Sequence, residues 1–490
     1  MKRIATLFSV AFTVAALCAL FLTSCNKFYG IYLGPFLFSV ENDEVIITSY
    51  RGLNPDVVVP ETILGMPVVA IDELAFYDND IVRSITIPDS VTAIYGIYHC
   101  SNLERVTLGD GIRYISDSFF ECPKLSFNEY GNGLYLGSDE NPYLALAGVV
   151  SSDIEELAIH PDTTVVCGGA VADCDYLTEL VIPEGMVSVG YSAFYECSSL
   201  ERIYIPSSLQ SIDIGAFEEC DSLAGIFVSD GNPCYKSVGG ILFSGDGDSL
   251  LKYAVGNDAE SYSIPDGTVS IEKCAFERAN NLTEVIFPDS VVEIGFCAFA
   301  DCENLVDVSF GSSLINIGFR AFENCVSLRE VQFGDSLEYI GGFAFSSCGL
   351  DKVIIPDSVV EIGPDAFANC ANLQSVHLGS SLKYIGGSVF SHTGLIEVTI
   401  PDSVVKIGSY AFEWCEDLER VVIGSGANSI GMGAFEGCNS LYEIVVSDPA
   451  GWRVSTFHGW KSEEVDLSDP RQNVQYFNSY DRYRSYYFKE

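Results

Sequence analysis

The chain has 490 residues, 68 acidic and 25 basic, for a formal net charge of -43. That balance excludes a protein built to hold a phosphate backbone, which needs lysine and arginine, and one that docks on anionic lipid through a charged face. Hydrophobic residues make up 48% of the sequence, too many for a disordered chain, and 44 Gly, 26 Tyr and 31 Phe against 4 Met and 3 Trp favour strands and turns.

The first element is an address. Lys2 and Arg3 form a positive start, Ile4 to Leu22 carries no charge, and Leu22-Thr23-Ser24-Cys25 follows. This is the pattern of a secretory signal over residues 1–24. Its closing Cys resembles a bacterial lipobox. The resemblance implies cleavage between Ser24 and Cys25, a thioether-linked diacylglycerol on Cys25 and acylation of the new amine. Several acyl chains anchor stably where one is marginal. The competing reading is an uncleaved membrane helix, since 19 residues just suffice to span. Asn26 follows the Cys, so an inner-membrane retention cue known in some bacteria, an Asp there, is missing. The expected location is extracytoplasmic and membrane-anchored, in the outer membrane or at the cell surface. Residues 25–34 read as a short tether. Like charges along the body keep copies apart and predict a monomer.

Residues 35–75 read as an N-terminal β cap with a first irregular repeat. Val45-Ile46-Ile47-Thr48-Ser49-Tyr50 and Asp56-Val57-Val58-Val59-Pro60 supply its strands. A period then takes over from 76 to 446. Ala-Phe recurs with Phe at 194, 217, 276, 299, 322, 345, 367, 412 and 435, mostly 22 or 23 residues apart, and Val389-Phe390 fills a missing slot. Cys sits three residues after the Phe, at 197, 220, 302, 325, 348, 370, 415 and 438, and Cys100, Cys122 and Cys174 fill that slot in divergent copies. Leu follows three residues later, then a short strand such as Val353-Ile354-Ile355-Pro356, a turn and Val-x-x-Ile-Gly. No single helical period fits. Each unit suits a coil with one strand and one tighter segment, which buries its apolar face only by stacking on neighbours about 4.8 Å away. Length alone suggests about three domains; the repeat argues for one stack instead.

The recurring Ala-Phe-x-x-Cys and Ile-Pro-x-Ser-Val blocks resemble the BspA-like leucine-rich repeats of bacterial surface proteins. The resemblance implies a mainly β (α/β-type) solenoid, a right-handed coil of 22- to 23-residue repeats with terminal caps. Irregular units near 123–165 and 221–265 also look like that family and read as hairpin-like insertions. One holds Asn132 to Gly137 and Asn141-Pro142-Tyr143, the other Gly239 to Phe243 and Asp246-Gly247-Asp248. Residues 447–490 leave the period and hold Trp452, Trp460, Tyr476, Tyr480, Tyr483, Tyr486, Tyr487 and Phe488. They read as an aromatic cap over the last rung, with an aromatic ligand patch as the alternative.

Cys18 leaves with the signal and Cys25 takes lipid, so 15 of the 17 cysteines remain. Eleven occupy the repeated slot, where Cys acts as a small buried hydrophobe. Asn79, Ala279 and Thr393 stand there in other copies, which points to size rather than sulfur. Cys274 and Cys297 differ. Each precedes the Ala of adjacent repeats, in a slot that elsewhere holds Ser192, Arg320, Asp365 and Tyr410 and is expected to be exposed. Stacked one rung apart, they lie within disulfide range, against the alternative of two free thiols.

No enzyme constellation emerges: no His-Glu-x-x-His, no Gly-x-Ser-x-Gly and no phosphate loop before a helix. The five His, at 99, 160, 377, 392 and 458, lack metal-ligand spacing, so no cofactor is expected. Asp89, Asp289, Asp357 and Asp402 recur in register after Pro and read as turn residues. Asp246 and Asp248 read as an Asp-Gly turn before a calcium site. In Leu-x-x-Val-x-Ile the alternate residues point outward. Arg202, Tyr204, Glu330, Gln332, Lys352, Ile354 and His377 therefore stand on a mixed face suited to protein recognition over several rungs. By the family resemblance, the expected function is non-catalytic adhesion or protein-protein interaction with a host extracellular or microbial surface protein. The alternative is a carbohydrate-binding or cell-envelope scaffold protein.

Overall fold

A computed structural model describes residues 27–116, 119, 121–456, 462–478 and 485–489. Its repeating element follows from where the apolar side chains fall. In the rung that starts at Leu328, Val331 points inward while Glu330 and Gln332 face out, and Glu330–Gln332 is a strand. After a turn, Leu337 and Ile340 return to the core, and Tyr339–Ile340 makes a second strand of two residues. Gly341 then passes against the previous rung, where a Cβ would stand 2.5 Å from the carbonyl carbon of Gly318. Ala344, Phe345 and Cys348 finish the rung, all buried.

The Ala-Phe side is a run of turns, tied between rungs as the strands are. Phe322 N–H donates to the Ala344 carbonyl at 2.7 Å, and Phe345 N–H to that of Ala366 at 2.7 Å. In the rungs that hold Phe345 and Phe412, the residue before Ala and the second residue after Phe take positive φ: Phe343 (56°) and Ser347 (61°), Tyr410 (60°) and Trp414 (55°). A non-glycine residue there costs roughly 1–2 kcal/mol. Inter-rung bonds offset that cost; Trp414 N–H, for one, donates to the Glu436 carbonyl at 2.7 Å.

The chain forms two compact units, one ending at Asp221 and taking back Val228–Cys234, the other holding Ser222–Phe227 and everything from Tyr235 onward. Each is a β-solenoid. In the first, Lys27–Leu33, Phe36–Glu41 and Glu44–Tyr50 pair antiparallel, and Glu44–Tyr50 hands over to the parallel strands Met66–Ile71, Ala93–Ile94 and Tyr114–Ile115. Residues 27–33, read from sequence as part of a tether, are thus an edge strand, because Phe36–Glu41 offers them a backbone ladder. Asp56–Val58, Ser84–Thr86 and Arg105–Thr107 form the parallel strand sheet. Antiparallel strands Asn128–Tyr130, Gly133–Leu136 and Ala145–Val149 follow, and parallel pairing resumes at Val165–Val166.

The second unit opens on another antiparallel set, Tyr235–Val238, Ile241–Ser244 and Ser249–Lys252. Its short strands then run in parallel to Ser429–Ile430, while nine longer ones run from Ser261–Ser263 to Glu443–Val446. Ser485–Lys489 pairs antiparallel with both Ser429–Ile430 and Trp452–Thr456 and covers the end. Trp452 is fully buried there. Asn473, on the helix Pro470–Phe477, is buried too and donates its amide to the carbonyls of Ile444 and Leu467 at 2.8 and 3.0 Å. The open edge of the last strand is closed in this way. Trp460, Tyr480 and Tyr483 lie outside the described residues, as does the side chain of Tyr486.

A column of rings runs through the second unit. Phe276, Phe299, Phe322, Phe345, Phe367, Phe390, Phe412 and Phe435 stack in sequence with centroids 4.5 to 5.6 Å apart. Beside it the thiols of Cys302, Cys325, Cys348, Cys415 and Cys438 each donate to the carbonyl of the column Phe one rung before, at 3.0 to 3.2 Å. The slot therefore uses sulfur as a donor as well as a small group. Burial pushes the Cys302 and Cys325 thiols well above their ordinary pKa, so they stay protonated.

The recurring aspartates bridge rungs. Asp289, Asp357 and Asp402 accept the backbone N–H of Ser312, Ser380 and Ser425 at 2.8, 2.7 and 2.6 Å. These bonds hold the three carboxyls below the ordinary range. Their support is present above the unfolded pKa of about 3.9 and is lost as the pH falls through the folded values. Asp246 closes its turn on itself, accepting from Ser244 Oγ at 2.6 Å and the Asp248 N–H at 3.1 Å.

Candidate interaction surface

The outward positions of the strand sheet form columns in register. Glu330 stands beside Lys352, Lys352 beside Ser375, and Ile354 beside His377. Glu330, Gln332, Lys352, Ile354 and His377 therefore share one face of the second unit, all exposed. Arg202 and Tyr204 stand on the corresponding face of the first unit, on the strand Arg202–Ile205, where Tyr204 is paired with Val181. Ile354 (51%) and Val181 (57%) are large apolar groups left in solvent on these faces. Isolated exposed aliphatics are ordinary; here each stands on the backbone ladder of its own unit, Val181 beside Tyr204 and Ile354 beside His377, a composition suited to protein contact.

Charge is uneven along the second unit's face. Glu284, Asp307 and Glu330 lie directly next to one another on three successive rungs. Like charges so placed repel. A shallow recess of about 420 Å³ sits over them, with Arg329 on its rim. Farther along, signs alternate. Arg420 Nε meets Glu443 Oε2 at 2.7 Å, and this bond pushes the guanidinium pKa up. The outward pairs were legible from alternation. Arg329, which follows the buried Leu328, was not, because alternation marks only the residues flanking the inward Val331.

Cys274 and Cys297 take positive φ, 53° and 51°. Both are free thiols, and the interaction between them raises the pKa of Cys274 and lowers that of Cys297. The slot is less open than its sequence suggests: Cys297 is buried and Cys274 half-buried, while Arg320 in the same slot is exposed. The neighbouring Phe296 and Phe319 stack on each other 5.8 Å apart. Cys25 lies outside the described residues. Among the described residues no group of three or more His, Cys, Asp or Glu is arranged to hold a metal ion.

A family model described as BspA type leucine rich repeat region matches residues 59–137, 150–246, 252–370 and 343–463. Among solved structures, a leucine-rich repeat protein from Eubacterium ventriosum is 18% identical, with a TM-score of 0.50, covering 90% of this chain and 99% of its own. The pneumococcal vaccine antigen PcpA is 19% identical with a TM-score of 0.45, covering 85% and 98%. A leucine rich repeat protein from T. pallidum is 31% identical over 41% of this chain and 86% of its own, with a TM-score of 0.33. Among curated proteins nothing matches the chain.

Proposed function

Because this chain belongs to the BspA type leucine-rich repeat family, we propose that it is a lipid-anchored cell-surface protein that binds a protein partner through its exposed strand faces. The partner class is a host extracellular protein or a surface protein of another microbe, and the binding is adhesive rather than catalytic. The observation that carries this reading is the in-register column of exposed, chemically mixed side chains on a backbone hydrogen-bonded rung by rung. Such a face offers a partner many contacts at little ordering cost. The acidic run Glu284, Asp307 and Glu330 favours a partner with a basic patch there.

Lipidation of Cys25 completes the reading. The strand Lys27–Leu33 begins two residues after it, a span of at most about 7 Å. The N-terminal cap would then rest against the bilayer with no stalk.

The test is binding of the full chain to a panel of purified host matrix and plasma proteins by surface plasmon resonance. At least one is expected to bind with a Kd in the micromolar range. Ile354→Glu with His377→Ala is expected to weaken that binding tenfold or more while leaving the circular dichroism spectrum unchanged. If no protein of the panel binds at that concentration, or if the double variant binds equally well, the strand face is not the adhesive surface.

A further inference from the structure

We propose that the first unit carries a binding site for a neutral saccharide where its strand sheet breaks after Arg105–Thr107. The inference does not rest on the protein-binding reading of the strand faces.

The break has a sequence cause. Val106 is a buried core residue of its rung, and Asn128, 22 residues on, occupies the matching place in the next. An amide cannot replace an inward valine without burying polar atoms. Asn128 is instead exposed, and its amide donates to the Pro142 carbonyl at 3.0 Å. The chain leaves the ladder there and turns back through the antiparallel strands Asn128–Tyr130 and Gly133–Leu136.

The ladder closes only at the rims of the gap. Ser126 N–H donates to the Glu104 carbonyl at 3.0 Å, and Leu108 N–H to that of Gly137 at 3.1 Å. Between them lies a recess of about 460 Å³ walled by Glu104, Arg105, Val106, Asn128, Ser138 and Asp139, among others. Arg105 reaches across to Asp139 at 2.8 Å. On the other side of the strand, Arg105 N–H donates to the Arg83 carbonyl, and Ile87 N–H to that of Thr107. Residues 105 and 107 thus serve the neighbouring strand. By the alternation of a parallel ladder the N–H of Val106 faces the recess, while its C=O lies toward Gly137, where Thr107 and Gly137 form a parallel bridge.

The walls select the ligand. They present donors from Arg105, Ser138 and the Val106 N–H, and acceptors from Glu104 and Asp139. Two carboxylates against one guanidinium, in a chain of net charge -43, disfavour an anion. A peptide strand needs several open ladder positions, and here Glu104 and Leu108 on either side of Val106 are already taken. A compact, uncharged ligand whose groups both donate and accept fits, and sugar hydroxyls do both. The volume is of the order that encloses a small molecule.

The experiment is saturation-transfer NMR of the full chain in detergent with glucose, galactose, mannose, N-acetylglucosamine, lactose and cellobiose. At least one is expected to bind with a Kd of about 1 mM. Glu104→Gln with Asp139→Asn is expected to weaken it at least tenfold, and Ser138→Trp, which fills the recess from its loop, to abolish it. Ile354→Glu, in the second unit, should leave it unchanged. The proposal is overturned if none of the sugars binds at about 10 mM, if binding survives both recess variants, or if the recess takes a peptide and no sugar.

Discussion

Phe322→Ala is expected to destabilise the second unit by about 3–5 kcal/mol, read from guanidinium unfolding followed by circular dichroism. Phe322 has no exposed surface. Its ring lies between those of Phe299 and Phe345, at 4.9 and 5.2 Å, with Phe310 edge-on at 5.6 Å. The cavity left behind cannot collapse easily, because the rung spacing is fixed by backbone bonds on both strands and on the Ala-Phe side. Phe319→Ala, three residues away, is the control. Its ring is 40% exposed, so about 1 kcal/mol or less is expected. Equal costs for the two would mean that the rings do not form an internal column.

Cys25→Ala is expected to move the protein from the membrane fraction to the soluble fraction and to remove the mass of the acyl groups. Each buried methylene contributes about 0.8 kcal/mol, so one acyl chain holds marginally and two or more hold stably. Among the described residues no helix is long and apolar enough to cross a membrane. Unchanged retention together with unchanged mass would remove the lipid anchor from the account and leave the strand faces to be explained without a surface location.

The positions that repeat were readable from sequence; the contacts that single residues make between rungs and at the breaks in the repeat were not. Ala-Phe at 22- or 23-residue spacing leads to the ring column because only stacking brings such positions together. The cysteine slot read as small and buried, since Ala279 and Thr393 substitute there. Its hydrogen bond to the preceding Phe carbonyl carries no sequence mark; Thr393 meets the need differently, donating to Phe390 of its own rung at 2.8 Å. Positive φ at His392, Trp414 and Arg278 was illegible because residue type barely signals it: the surrounding ladder imposes that backbone. Asp289, Asp357 and Asp402 looked like turn residues, and the turn is where they sit, but their partners lie one rung on. The recess beside Val106 was marked by a single letter, Asn128 in a valine's place, whose consequence appears only when the two rungs are laid side by side. Asn473 had no signal at all, since its partner carbonyl at Ile444 is 29 residues away.

Alkylation of the native protein without reductant, followed by peptide mass mapping, tests the stacked-rung account most directly. Cys302, Cys325, Cys348, Cys370, Cys415 and Cys438 should stay unmodified until denaturant is added, while the half-buried Cys234 reacts at once. Cys274 and Cys297 are free thiols in this structure; oxidation between them would show as one linked peptide pair in the same map. Labelling of the six ladder thiols in the native protein at the rate of Cys234 would contradict the account, because sulfurs open to solvent cannot lie between stacked rungs.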